Sequence, residues 1–115
     1  MKDFPDFMKS SKNLIDPGSQ YTEDIVGYVF DGADGSQMAF WTCYKDRDSA
    51  GHAHDYDEYM IVASGSCILF MNGNKINMNP GDEVYIPKNT VHSLSSKAGT
   101  RTIHAFEKKR AERSF

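Results

Sequence analysis

Turn-forming pairs punctuate this chain at short, even intervals: Asp16-Pro17-Gly18, Asp34-Gly35, Ser64-Gly65, Asn72-Gly73, Pro80-Gly81 and Ala98-Gly99. Glycine and asparagine accept the positive φ of tight turns, and proline fixes φ, so each pair ends a regular element within a few residues. Between the turns lie runs rich in β-branched and aromatic residues, at 25–30, 37–44, 59–63, 67–71, 83–86, 90–94 and 100–106. Short strands at this spacing predict an all-β sandwich or small barrel. Asn72-Gly73 is the clearest hairpin turn, because a two-residue loop needs positive φ at both positions. Helix is expected only at the ends, over 4–11 and as a frayed turn over 107–113.

With 115 residues, the chain holds one domain of ordinary size, expected as an extension (1–24), a barrel (25–106) and a basic tail (107–115). Apolar residues at 39%, 12% of the chain being aromatic, suffice for a packed core and argue against disorder. The net charge is −3, and residues 107–115 carry +2 of their own, which leaves −5 on residues 1–106. An acidic body lacks the basic stripe that nucleic acid requires, and a short basic tail is ordinarily solvated. No apolar run approaches the ~18 residues of a membrane span, and residues 1–12 contain no continuous apolar segment of the signal-peptide kind. Cys43 and Cys67 sit in apolar strand-like stretches, with no C-x-x-C spacing. A reduced, cytoplasmic chain with two buried thiols is therefore expected, with neither nucleic acid nor membrane as a partner.

Residues 59–62 and 67–71 are apolar at both parities instead of alternating. Such strands are covered on both faces. A barrel interior covers one face, and a second sheet or subunit must cover the other, so a homodimer is expected.

Two of the four histidines form His52-Ala53-His54. On a strand, residues two apart share a face, so two imidazoles stand side by side. Glu58 has the same parity, but a straight strand would carry it ~20 Å from His52. The polar insert Asp55-Tyr56-Asp57 permits a turn that brings Glu58 back. Taken alone, this pattern is weak.

Residues 51–58 followed by six residues to Gly65 resemble the first motif of the cupins, H-x-H, three or four residues, E, six residues, G. Residues 81–92, from Gly81 through Pro87 to His92, resemble the second motif, G, five residues, P-x-G, two residues, H. The fifteen residues between Gly65 and Gly81 are about the shortest spacer the family uses. Asp46, Asn89 and Ser96 depart from the usual residues, but no ligand position is touched. The resemblance implies a single-domain cupin jelly roll in which His52, His54, Glu58 and His92 hold one divalent transition metal: iron, manganese, nickel or zinc. It also implies one or two open positions on that metal, which suits catalysis better than a closed structural site.

His104 lies on the last expected strand. Thr102, His104 and Phe106 share one face, and Arg101, Ile103 and Ala105 share the other. Either Ile103 and Ala105 fill the core with His104 outside, or His104 turns inward as a general acid or base. Some small cupin enzymes look similar at these positions, and in that comparison Phe106 and Arg110 contact the substrate. Trp41, Tyr44 and Tyr56 flank the first motif and would line the mouth or join the core. The acidic group Asp46, Asp48, Asp55 and Asp57 reads as a solvated loop. No nucleophile elbow and no Cys–His arrangement is present.

The expected function is metal-dependent chemistry on a compact polar metabolite, a sugar acid or keto acid, by isomerisation, ring opening, lyase chemistry or dioxygenation. The alternative is a non-catalytic cupin that binds or senses a small ligand, with His104 facing outward.

Overall fold

The computed structural model describes residues 1–19 and 25–114. Its strands are β1 (Ile25–Asp31), β2 (Gln37–Cys43), β3 (Arg47–Asp48), β4 (Glu58–Ser64), β5 (Cys67–Met71), β6 (Asn74–Met78), β7 (Glu83–Ile86), β8 (His92–Ser96) and β9 (Arg101–Phe106). They pair antiparallel in two sheets, ordered β1-β2-β9-β4-β7 and β3-β8-β5-β6. The chain repeatedly crosses between the sheets, as in a jelly roll, and the inward side chains of both enclose the core.

Two apolar clusters fill that interior. One contains Ile15, Val29, Ala39, Trp41, Tyr56, Phe106 and Ala111. The other contains Met60, Val62, Cys67, Leu69, Met78 and Ile86. Both cysteines are buried and unpaired. The β5–β6 hairpin pairs Met71 with Asn74 across Asn72-Gly73, whose φ angles are 53° and 74°. Positive φ at both central positions is what a type I′ turn demands. Gly65 is fixed by a different constraint: with φ of 78°, a Cβ there would stand 2.6 Å from the Thr100 backbone.

Several expectations are corrected. The sequence runs missed β6, in which only Ile76 and Met78 are apolar, and β3, which is only two residues long. The second-motif strand begins at His92 and not at residue 90. No helix forms over 4–11; two single 3₁₀ turns, Asp6–Met8 and Ser11–Asn13, stand there instead. Phe4 is drawn down onto Phe40, ring centroids 4.8 Å apart, and Arg101 lies beneath Phe4 with its guanidinium carbon 4.9 Å from the ring. Docking that segment across β2 and β9 outweighs helix propensity, which is small over so few residues.

Nor is the basic tail merely solvated. Ala111 is buried, and Arg113 forms a bridge with Ile15 while its guanidinium reaches Asp31 at 2.7 Å and the Val29 carbonyl at 2.8 Å. The two ends of the chain thus pair with each other against β1. No helix among the described residues is long and apolar enough to cross a membrane.

The N-terminal segment is latched by Asp3. Its carboxylate accepts from the Thr42 hydroxyl (2.8 Å), the Tyr44 hydroxyl (2.8 Å) and the Phe4 N–H (2.7 Å), and Lys9 stands 3.4 Å away. Burial pushes the Asp3 carboxyl up, but these hydrogen bonds outweigh it and bring it down to about 2. A carboxyl depressed in the folded state stabilises it above the ordinary value of about 4 and loses that contribution as pH falls towards 2. Asp3→Asn should therefore cost on the order of 1 kcal/mol at neutral pH, after allowance for partial exposure, and flatten the melting temperature's fall between pH 4 and 2. Parallel melting curves for parent and variant over that range would refute the latch.

Candidate metal centre

His52, His54 and His92 come together: one ring nitrogen from each lies within 4.8 Å of the other two. Pairing between distant stretches of chain produces this cluster. His52 and His92 form an antiparallel bridge, with His52 N–H donating to the His92 carbonyl (3.0 Å) and the reverse bond at 2.9 Å. The Asn89 N–H donates to the His54 carbonyl at 2.6 Å. Asn89 itself has φ of 61°, a left-handed angle that asparagine tolerates where the motif usually has glycine. The loop through His54 is not a strand, yet the His52 and His54 rings are 5.0 Å apart, as same-face neighbours would be.

Glu58 opens β4, and the insert before it does fold back. The Asp57 carboxylate accepts from Lys88 N–H (2.9 Å), and the Asp57 carbonyl accepts from Glu107 N–H (3.0 Å). Tyr56 turns inward and stacks on His54 at 4.7 Å. Glu58 Oε1 consequently lies 3.5 Å from His54 Nε2 and 3.6 Å from His92 Nε2.

His104 faces the interior, 6% exposed, on the inward row of β9 with Thr102 and Phe106. Ile103 and Ala105 are half-buried on the outer face, so the reading that put them in the core is corrected. His104 Nδ1 donates to Glu58 Oε2 at 2.8 Å, and His104 Nε2 is 2.9 Å from Thr102 Oγ1. Trp41 meets the His104 ring edge-on at 4.9 Å, and Phe106 stacks on it at 5.8 Å. Sequence reasoning missed Thr102 as a partner; its position two residues from His104 on one strand face was the available signal.

The donor set fits a transition metal. His52 Nδ1 donates to the Ala50 carbonyl and His92 Nδ1 to the Thr90 carbonyl, both at 2.9 Å. A carbonyl only accepts, so each Nδ1 carries the proton and each Nε2 keeps its lone pair, the arrangement that ligating histidines adopt. Burial pushes the His52 imidazole down, towards the neutral form a metal needs. Burial alone would raise the Glu58 carboxyl, but the hydrogen bond from His104 and the nearby His54 and His92 imidazoles outweigh it and hold it well below the usual carboxylate range. His92 moves upward, because Glu58 beside it outweighs burial.

These groups line one cavity, with about 80 Å³ open to the centre of a water-sized sphere. At roughly 10–15 Å³ per water, it has room for a few waters or one compact metabolite. Arg110 also lines it, anchored through its backbone N–H to Gln37 Oε1 at 2.7 Å. Trp41 joins both core and lining, Tyr56 is core, and Tyr44 is exposed and bonded to Asp3. Asp46, Asp48 and Asp55 are exposed.

A histidine cluster bridged to a second-motif histidine inside a jelly roll defines the class. The family model for the cupin domain matches residues 40–106, more than half of the chain, and the chain belongs to the cupin family. A 43-residue stretch is 40% identical to quercetin 2,3-dioxygenase of Bacillus subtilis (strain 168), covering 36% of this chain and only 13% of that enzyme. The structure of KdgF from Halomonas sp. is similar with a TM-score of 0.71 at 18% identity, over 79% of this chain and 84% of that one. An RmlC-like cupin from Shewanella frigidimarina NCIMB 400 is similar with a TM-score of 0.73 at 17% identity, over 86% of each chain. At these identities the structural likeness establishes the fold. Family and histidine cluster together point to a transition-metal ion.

Proposed function

We propose that this chain is a metal-dependent cupin enzyme acting on a compact polar metabolite, a sugar acid or keto acid, by isomerisation, ring opening or lyase chemistry. The observation that carries this reading is the inward His104, joined to Glu58 in the same cavity as the three clustered histidines.

His52, His54, Glu58 and His92 would hold the ion. Bound there, a divalent metal acts as a Lewis acid and stabilises negative charge developing beside a substrate carbonyl. The protein's own part is positional and protonic. His104 fixes Glu58 through Nδ1 and presents Nε2, beside the Thr102 hydroxyl, to the cavity as acid or base. Phe106 and Trp41 wall the site with apolar surface, and Arg110 supplies a cation for an anionic substrate oxygen. The test is to load the protein with iron, manganese, nickel or zinc and incubate each form with a panel of sugar acids and keto acids, with and without oxygen. Turnover of at least one is expected; binding of a panel member with no turnover in any form would establish the ligand-binding alternative.

The outer face of the five-stranded sheet is proposed to pair with a second copy. Register places Phe30, Met38, Ala105, Tyr59 and Tyr85 in one row across it. Met38 is 55% and Tyr85 57% exposed. The apolar residues at both parities of β4 are thus left partly open within one chain, and a stable partner covering about 800 Å² would close them. Met38→Glu, at an exposed position of the row next to Ala105, should shift the sedimenting mass from twice 12.9 kDa towards 12.9 kDa. A parent that sediments as a monomer would refute the pairing.

A further inference from the structure

The far wall of the cavity carries a group outside the four-ligand cluster. Residues 47–52 run antiparallel along β8: Arg47 pairs with Ser96, the Ser49 N–H donates to the Leu94 carbonyl at 2.8 Å, and His52 bridges His92. Arg47, Ser49 and His52 all line the cavity, so one wall carries a guanidinium at one end and the histidine cluster at the other. Ser96 is four residues from His92, about 13 Å of strand. The Arg47 guanidinium stands beside the Cys43 thiol, which also lines the cavity, so the gap to the histidine cluster is on the order of 10 Å, the span of a short carbon chain with a carboxylate at each end. Arg110 stands at the opposite, histidine end, where its charge is felt by His92.

Charge reinforces this geometry. The chain as a whole is acidic at −3, yet among the described residues lining the cavity Glu58 is the sole carboxylate, against two arginines. With a divalent ion bound, that balance would be about +3, a strong field for a multiply charged anion in a partly desolvated space. The planar guanidinium fork matches a carboxylate through two parallel hydrogen bonds, and the small cavity favours that group over a bulkier anion.

We propose that Arg47 receives a second carboxylate, so that the ligand class is a short-chain dianion with one end at the histidine cluster and the other at Arg47. This rests on the metal-enzyme reading above and narrows its substrate class. Arg47 is then a specificity-determining residue, lying too far from the cluster to touch the reacting atoms.

The test compares succinate with succinamate, which has the same length and one carboxylate fewer, on zinc-loaded protein. Trp41, the chain's one tryptophan, lines the cavity and reports binding by its fluorescence. Succinate should bind at least tenfold more tightly than succinamate. In Arg47→Gln the ratio should fall towards one, with zinc content unchanged. Protein that takes up zinc but binds both probes equally overturns this inference alone, as does an Arg47→Gln variant that keeps the parent preference. Protein that takes up zinc but binds neither probe likewise overturns this inference alone, whereas protein that takes up no zinc overturns the metal-enzyme reading and this inference with it. Should Arg47→Gln fail to fold, the parent comparison still decides between one carboxylate subsite and two.

Discussion

Replacing His92 with alanine should strip the protein of metal while leaving it folded. The bridge between His52 and His92 is made by backbone groups, which alanine retains, so the two motifs stay joined. What disappears is one of three clustered ring nitrogens and the contact at 3.6 Å with Glu58 Oε1. Loss of a group that merely orients a ligand typically costs 10–100-fold in metal affinity, and loss of a ligand should cost at least as much. Elemental analysis after dialysis against a limiting metal buffer checks this. A variant with the parent's metal content would remove His92 from the ligand set, and His54→Ala, measured alongside, would show whether the cluster holds metal at all.

His104→Gln should separate metal binding from chemistry. A glutamine amide can still donate to Glu58 Oε2, so the carboxylate keeps its orientation and saturating metal should load to the parent level. The amide cannot take or give a proton near neutral pH. Turnover of whichever panel metabolite reacts should therefore fall by ~10²–10⁴, the usual contribution of a positioned acid or base. His104→Ala should lose metal affinity as well, because nothing then holds Glu58 Oε2. Full turnover in His104→Gln would reduce His104 to a support for Glu58.

The barrel was legible because its signals are local. Glycine and asparagine mark turns by their own backbone preferences, so the Asn72-Gly73 hairpin could be placed without knowing what it packs against. The motif residues were legible from their spacing and from the resemblance it carries. Elements whose only reason to exist is a partner were not legible. Strand β6 has only two apolar residues and β3 is two residues long, and both exist through pairing with β5 and β8. The N-terminal segment looked helical because its composition allows helix, but contact with Phe40 and Arg101 outweighed that weak local preference.

The sequence by itself determined the apolar strands, the turn chemistry and which side chains can bind a metal, since these depend on residue type and near neighbours. Only the tertiary structure decided which way β9 faces. Its two faces differ little in hydrophobicity, and a one-residue slip would exchange them. Pairing with β2 and β4 settles the matter by placing Ala39 and Met60, both fully buried, opposite His104. The same holds for Arg47. No local signal marks it between Asp46 and Asp48, and its place on the cavity wall follows from a pairing with Ser96, 49 residues away along the chain. Such long-range pairing depends on the packing of the whole barrel, which no local pattern encodes.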